Sequence, residues 1–436
     1  MRGMIFRLIV VVFVCFLTAL ARPAYSSESV EELKAQIKVL MEQNKALTQR
    51  LKRVEDALEA IKRGEAHGPR AEVEEATEES PKPPSGFLTE AEKRIKLSGL
   101  LEFGGAYRNT SFNDEGDKDE SDLAMTTVEL DFSAKLNSWV DVTGVLLYED
   151  PTFTSDENSL DVDSASVVFG NDQTPFTLTM GKVYVPFGAL FTHFPDDPFI
   201  DSPITLLLGE TNEKAAILEY SNGGLFVSAY AFNGDVEEIG EDENTIESYG
   251  FDINFKYGFD LSQLNFYKRG EKFQHNPLTC IDFIVGASYI SNLADSDYVS
   301  DMIGDVVDDY VGGVDFYLHM EHCGYFIDAE FMGATERFSS SILSSGHSGA
   351  RPYVWNFEAG FNYNWWKNLE VALKIAGSHD TEGLALPENR FGINLNQTLC
   401  EGVNLSVGYI HDEYHTNDIE GRDDRDLVYG QMAVEF

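Results

Sequence analysis

The segment DLVYGQMAVEF, residues 426–436, ends the chain on an alternating pattern. Val428, Met432 and Phe436 fall on one face of a strand, whereas Tyr429 and Gln431 fall on the other, because successive strand side chains point to opposite sides. A half-buried strand of a water-soluble protein would alternate in the same way. The segment therefore predicts a terminal strand, and the rest of the sequence has to decide its surroundings.

The same period of two recurs from about residue 95 to the end of the chain. Examples are MTTVELDFSAKL at 125–136, YGFDINFKYG at 249–258 and YFIDAEFMG at 325–333, each with apolar residues on one face and polar residues on the other. About sixteen such segments can be counted, each roughly ten residues long, which is the length of a tilted strand that crosses a membrane.

The predicted connections alternate between short and long. Short turns are predicted at 136–139, 220–224, 321–324, 364–368 and 400–402, and long acidic loops at 109–124, 150–159, 185–212, 234–245, 292–311, 335–352, 379–387 and 413–426. This alternation is typical of outer-membrane barrels. Residues 258–279 are long where a tight turn is expected, so they are either an insertion or a sign of a wrong strand count.

A soluble β-sandwich or β-helix is the competing fold, because it also shows alternation. Loop alternation, aromatic residues near strand ends such as Trp139, Tyr257 and Trp365, and the terminal Phe436 favour the membrane. We therefore predict an all-β protein: a transmembrane antiparallel β-barrel of about 16 strands, preceded by a short N-terminal coiled-coil helix. Its lipid-facing backbone groups must all be paired, so the sheet must close into a ring.

The residues before the barrel divide into three predicted parts. Residues 1–26 carry Arg2, Arg7 and a short apolar run, which indicates a secretory signal peptide and hence export. Residues 28–63 repeat apolar positions in steps of three and four, with Asn44 at an a position, which is typical of a coiled coil. A lone amphipathic helix is the alternative; dimer and trimer stay open. Residues 64–94 read as an acidic flexible linker, and residues 95–436 as the barrel.

The composition narrows the functional classes. Asp and Glu number 74 against 32 Lys and Arg, giving a formal charge of −42, which disfavours nucleic acid as a partner. The predicted partners are instead outer-membrane lipid, a small solute and, through residues 28–63, further copies of the chain. Because acids dominate the polar strand faces, the predicted lumen disfavours anions. The lumen-lining candidates are Glu129, Asp131, Asp252, Asp328, Glu330, Glu358 and Glu370.

Residues 181–216, GKVYVPFGALFTHFPDDPFIDSPITLLLGETNEKAA, resemble a stretch of the LbtU-type siderophore porins. The order of parts is also similar, from signal peptide and coiled coil through an LSG opening at 97–99 to the terminal Phe436. The resemblance covers most of the mature chain and implies an outer-membrane porin that passes a ferric siderophore. It carries over no catalytic or ligand residues. General or other-substrate diffusion, and an envelope tether anchored by the barrel, are the alternative functions.

The long loop at 185–212 is the predicted constriction, by analogy with general porins. Its acids would then set the charge and width of the pore; they are Asp196, Asp197, Asp201, Glu210 and, just beyond the loop, Glu213. In the alternative, the loop packs on the barrel rim and its Asp and Pro residues serve turns.

Three clusters suggest other chemistry, and each has a plain alternative. HMEHC at 319–323 contains metal-ligand types but matches no standard zinc spacing, so a plain turn is preferred. HDEYH at 411–415 could meet iron at the outer mouth, but a charged loop base is preferred. Cys280 and Cys323 fall at the same end of neighbouring predicted strands, where a disulfide would be stable after export. No Ser–His–Asp/Glu set has a recognisable spacing. We therefore predict no enzyme activity, no cofactor and no metal.

Overall fold

The computed structural model describes residues 94–436, apart from 114–115, 151, 154–158, 172, 241–245, 259–280, 323, 346–347, 364–368 and 417. The predicted signal peptide, the coiled coil and the linker up to residue 93 lie outside the described residues, so these assignments stay predictions. The same holds for the disulfide between Cys280 and Cys323.

Sixteen long strands within the described ranges form one closed antiparallel barrel. They are β1 (Ile95–Phe112), β2 (Lys118–Lys135), β3 (Val140–Glu149), β4 (Ser159–Phe169), β5 (Phe176–Tyr184), β6 (Asn212–Asn222), β7 (Leu225–Asn233), β8 (Ser248–Tyr257), β9 (Ile281–Ile290), β10 (Gly313–His322), β11 (Tyr325–Ala334), β12 (Tyr353–Tyr363), β13 (Leu369–His379), β14 (Asn389–Cys400), β15 (Val403–Glu413) and β16 (Arg422–Glu435). The predicted antiparallel barrel of about 16 strands is confirmed.

The first and last strands close the ring. Strand β1 pairs with β16 from Leu100 opposite Glu435 to Phe112 opposite Arg422. Phe436 extends this seam, because its N–H donates to the carbonyl of Gly99 at 3.1 Å and its carbonyl accepts from the N–H of Gly99 at 3.0 Å. The terminal segment, residues 426–436, therefore pairs on both sides, with β1 and with β15.

The connections separate into a short-turn end and a long-loop end. Asn222 and Leu225 are joined by Gly223 and Gly224, both with positive φ (61° and 89°), as a tight two-residue hairpin turn requires. Strands β8 and β9 pair directly, with Tyr257 opposite Phe283, so the strand count is right across the connection that the sequence left ambiguous.

One predicted loop is wrong. Most of residues 109–124 belong to β1 and β2, which are 18 residues long and pair as far as Thr110 opposite Lys118. The acidic composition suggested a loop, but cross-strand contacts hold these charges in the ladder. Arg108 Nε donates to Glu120 Oε2 at 2.5 Å, and the Tyr107 hydroxyl donates to Asp119 Oδ1 at 2.6 Å.

The two faces of the barrel wall differ in polarity. Large apolar side chains are exposed on the outer face, among them Leu130, Phe132, Phe251, Ile253, Phe255, Phe331, Phe357, Leu373, Phe391 and Ile393. The inner face carries their alternating polar neighbours, such as Asp252, Asp328, Glu358 and Asn394, which are buried. Alternation along the strands thus gives an apolar exterior and an interior that is polar except where loops cover it.

The long loops carry two short helices, α1 (Ile204–Gly209) and α2 (Asp297–Ile303). Among the described residues, no helix has the length and apolar character needed to cross a membrane. Two minor two-stranded sheets, Glu237–Glu238 with Val306–Val307 and Ser344–Ser345 with Ser348–Gly349, also belong to the loops.

A hydrophobic core forms inside the barrel, where the loops meet the inner face of one part of the wall. The wall contributes Ile217, Tyr230, Phe232, Ile290, Met332 and Val354, and the loops contribute Phe187, Ile204, Leu208, Leu293, Val299, Leu343 and Leu386. The long loops therefore fold inward on the side of β6–β13 instead of standing away from the barrel.

Candidate functional site

The loop after β5, residues 185–211, crosses the interior of the barrel. The N–H of Gly188 donates to Ser288 Oγ of β9 at 2.8 Å, and the N–H of Ala189 donates to Glu330 Oε1 of β11 at 2.6 Å. These acceptors lie on the inner face, three and five strands beyond β6 in the ring. Of the two placements that the sequence left open, the structure has the loop in the lumen.

The middle of the loop rests on β13 and β14. The carbonyl of Pro198 accepts hydrogen bonds from Asn394 Nδ2 and, at 2.8 Å, from Asn396 Nδ2. The neighbouring Phe199 is 1% exposed and packs with Phe326 and Ala372. The polar face of β14 thus supplies donors that keep the buried loop backbone paired, as a water-poor interior requires.

Asp201 joins the loop to a buried network of charges. Its Oδ2 accepts from Arg390 Nη1 at 2.8 Å and lies 3.3 Å from Lys374 Nζ. Each base has a second acid: Lys374 lies 3.4 Å from Glu358, and Arg390 Nε donates to Asp412 at 2.7 Å. Buried charges are costly unless they are paired, and each charged group of this network has an oppositely charged partner.

Helix α1 fixes the final part of the loop. The Thr205 hydroxyl donates to Glu330 Oε2, so Glu330 accepts from the loop through both carboxylate oxygens. The carbonyl of Glu210, directly after the helix, accepts from the N–H of Asp297 in α2 at 2.8 Å. Burial, with a contribution from the negative charge of Asp297, raises the pKa of Glu210 to about 8.

The predicted constriction acids occupy different settings. Asp201 and Glu210 hold the loop, as described above. Asp197 is buried and accepts from the N–H of Thr192 at 2.6 Å, which is the turn role of the alternative reading. Asp196 is exposed on the same turn, and Glu213 is buried at the start of β6.

The predicted lumen-lining acids divide between two sides of the wall. On the loop-covered side, Glu330 and Glu358 contact the loop or its bases; Asp252 accepts from the Tyr317 hydroxyl at 2.9 Å; Asp328 pairs with His319; and Glu370 accepts from Asn396 at 3.0 Å. On the opposite side, Glu129 and Asp131 of β2 keep part of their surface exposed. The structure brings the first set together beneath the loop and leaves the second set apart from it.

Sequence reasoning missed two arginines of the charge network and the apolar core that holds the loop. Arg390 and Arg425 both pair with Asp412, at 2.7 and 2.5 Å. Their signal in the sequence was a basic residue at an inner-face position of an otherwise acidic chain. The apolar inner-face residues Ile217, Phe232 and Met332 also broke the polar alternation, and this break marked the part of the wall that the loops cover.

The side chains of the HDEYH cluster at 411–415 do not converge on one point, and Cys323 of the HMEHC cluster lies outside the described residues. In β15, Asp412 faces the arginines of the inner face, whereas His411 Nδ1 lies 2.8 Å from Asp426 Oδ1. His415 lies instead near Ser378 and Thr381, at 3.5 and 3.3 Å. In the part of the chain that the structure describes, no three His, Cys, Asp or Glu side chains are grouped as metal ligands.

Sequence comparison finds relatives that are similar to this chain over part of its length. No family model matches it. It is 24% identical over 332 residues to a UPF0422 protein of Coxiella burnetii, and 25% identical over 345 residues to UPF0422 protein lpg2959 of Legionella pneumophila. These matches cover 74% and 73% of this chain, which spans 64% and 59% of the two relatives.

Solved barrels show a distant likeness. The outer membrane channel DcaP of Acinetobacter baumannii is 16% identical, with a TM-score of 0.48, covering 78% of this chain and 97% of that one. Pseudomonas putida OprB is 9% identical, with a TM-score of 0.49, covering 79% and 95%. Salmonella typhi OmpF, solved with daunomycin, is 12% identical, with a TM-score of 0.46, covering 78% and 97%.

Proposed function

We propose that this protein is an outer-membrane diffusion channel for small solutes. The observation that carries the proposal is the closed 16-strand barrel with an apolar exterior, a polar interior and a loop folded inside. A large exposed apolar surface is unfavourable in water and favourable in lipid. A barrel of this strand number is wide enough for an aqueous passage that the loop then narrows.

The proposed solute class is a ferric siderophore or a similar small solute, taken up passively. Its support is the resemblance of residues 181–216 to the siderophore porins, and these residues include the loop that crosses the lumen. The loop leaves one side of the inner wall partly exposed, and passive diffusion could follow this exposed side. The proposed location, with residues 28–63 in the periplasm, follows from the export signal predicted for residues 1–26.

Conductance in planar bilayers tests the channel. Purified full-length protein should give stepwise currents, and an absence of current from correctly folded barrels would contradict the proposal.

Liposome uptake then tests the solute class, with a panel of ferric siderophores compared with unrelated sugars of matched size. Faster uptake of one siderophore supports the specific proposal. Equal uptake across the panel would leave a general diffusion porin and remove the siderophore assignment.

Self-association through residues 28–63 is a further part of the proposal. Deletion of residues 28–90 should leave single-channel conductance intact and lower the oligomeric order measured in detergent, because the barrel ring is complete without these residues. An unchanged oligomer would contradict an assembly role. Loss of all current, with the barrel still folded, would favour the envelope-tether alternative.

A further inference from the structure

We infer that solutes cross the barrel off-centre, along the inner face of β2 and β3, and that acids on this wall select cationic solutes. The inference deepens the proposed channel function and rests on it. It assigns the acids of the two sides of the barrel to different tasks. Those beneath the loop hold structure, and those of β2 and β3 face the solute.

Burial around the ring is strongly uneven. On the loop-covered side, inner-face residues are almost inaccessible: Ser228 of β7 is 0% exposed, Asp252 of β8 is 2%, and Asn356 of β12 is 2%. On β2 and β3, Asp131 and Val145 face each other across the strands and both remain partly exposed. Water therefore has access along one side of the interior, and packed protein occupies the other.

The covered side owes its burial to the loops. The hydrophobic core and the Asp201 network join residues 185–211 to the inner faces of β9–β14. Another part of the same loop, His193–Asp196, lies near the first strands. Asp196 there interacts electrostatically with Glu129 of β2 and Glu102 of β1, and His193 does so with Glu149 of β3. The narrow part of the passage thus lies between His193–Asp196 and this wall.

The wall that borders the passage is acidic. Between Thr127 and Lys135 of β2, the inner-face positions include Glu129 and Asp131, and Lys135 lies 3.8 Å from Asp141 of β3. At the far end of β3, Glu149 is exposed. Asp196 adds a further acid from the loop side. A narrow water-filled passage bordered by carboxylates concentrates cations and repels anions.

The test is the reversal potential in a salt gradient, measured on wild type and on the double variant Glu129→Gln/Asp131→Asn. Removing two carboxylates from the passage should lower the cation-to-anion permeability ratio by about twofold or more. The matched control is Asp315→Asn in β10. Asp315 is also on the inner face but is 0% exposed, so its carboxyl group does not border the water-filled passage. We expect the control to keep the wild-type ratio.

An unchanged ratio in the double variant, or an equal shift in the control, would overturn the inference while the channel itself stood. A wild type without current would instead overturn the proposed function. Folding of each variant is checked by heat-dependent gel mobility, and Glu149→Gln replaces the double variant if that one does not fold.

A second readout uses a Cys280→Ser/Cys323→Ser/Cys400→Ser background. There, a cationic thiol reagent should block current through Val145→Cys and leave Ser228→Cys unaffected.

Discussion

At the scale of single residues, Asp201 is the point where the lumen loop is held by charge. It contacts Arg390 and Lys374, which come from two neighbouring strands, and both bases also pair with acids of the wall. The loop would otherwise carry one unpaired carboxylate into a poorly hydrated interior, which is costly. The same interaction therefore pairs the carboxylate of the loop and fixes the position of the loop against the wall.

Asp201→Asn should loosen the loop without unfolding the barrel. Both bases keep their wall partners, Glu358 and Asp412, so the loss should be about 1–2 kcal/mol, below the cost of leaving a buried charge with no partner. Amide hydrogen exchange at Gly188 and Ala189, whose N–H groups anchor the loop, should accelerate by about tenfold. Asp235→Asn, an exposed acid of another loop, is the control. Equal exchange in both variants would contradict the anchoring role of Asp201.

Glu210 should make the loop sensitive to pH. Its pKa in the folded protein is about 8 and its ordinary value is 4.5, with burial as the main cause. A carboxyl group whose pKa is raised in the folded state does not change the free energy of unfolding at pH values below its unfolded pKa. It lowers that free energy progressively as the pH rises from 4.5 to about 8. Above that pH the full penalty applies.

Thermal unfolding in detergent should therefore show lower stability at pH 9 than at pH 6, by about 2–3 kcal/mol from this group. Glu210→Gln, which cannot ionise, should reduce the difference between the two pH values. Asp297 of α2 has a pKa of about 6, again raised chiefly by burial, so its own contribution is largely complete by pH 6. A pH dependence identical in wild type and Glu210→Gln would refute this assignment.

At the scale of elements, the loop is built from turns and one short helix that depend on the wall for burial. Helix α1 has six residues, too few for independent stability in water. Its Ile204 and Leu208 are 0% exposed inside the core, and Gly209 closes the helix against Met332 of β11. Tertiary packing, not helix propensity, therefore stabilises this element.

Gly209→Val should displace α1 from the wall. A Cβ at this position would lie 2.4 Å from both Sδ and Cε of Met332, so either the methionine or the helix must move. We expect a less stable loop and a larger or noisier single-channel current, because overpacking in a core is destabilising by about 1–3 kcal/mol. Gly430→Ala in β16 is the matched control, since its Cβ would lie 3.6 Å from the nearest atom. A quiet, unchanged current in Gly209→Val would count against the packing argument.

At the scale of the whole barrel, closure depends on the terminal strand. Strand β16 pairs with both β1 and β15, so it completes the ring of backbone hydrogen bonds. Without it, the edges of β1 and β15 would be exposed to lipid, where unpaired N–H and C=O groups are costly. The uneven filling of the interior is a second property of the whole barrel, because it arises from loops that meet strands far away in the chain.

Removal of residues 422–436 should abolish the folded barrel. We expect loss of the compact species that migrates faster on gels before heating, together with loss of bilayer conductance, because two strand edges remain unpaired. Phe436→Ala keeps the backbone pairing of β16 and serves as the comparison. A truncated chain that still gave a heat-modifiable, conducting species would show that ring closure does not require β16.

The sequence by itself determined the strands, their faces and the approximate number of them. Alternation is a local property: Phe251, Ile253 and Phe255 mark an outer face, whatever the neighbouring strands are. Local composition gave a wrong prediction where cross-strand pairs neutralise charge, as at Arg108 and Glu120 in the segment that the acidic pattern predicted as a loop. The alternation of loop lengths and Phe436 then favoured a barrel over a soluble sandwich.

The tertiary structure alone decided what the inner-face acids do. Asp201 and Arg390 are 189 residues apart, and nothing local at either position shows that they meet. For the same reason, Asp131 and Asp252 look alike in the alternating pattern, yet one is partly exposed and the other is buried beneath loops. Strand faces follow from neighbouring residues, whereas access to the lumen depends on which distant loops fold back onto the wall.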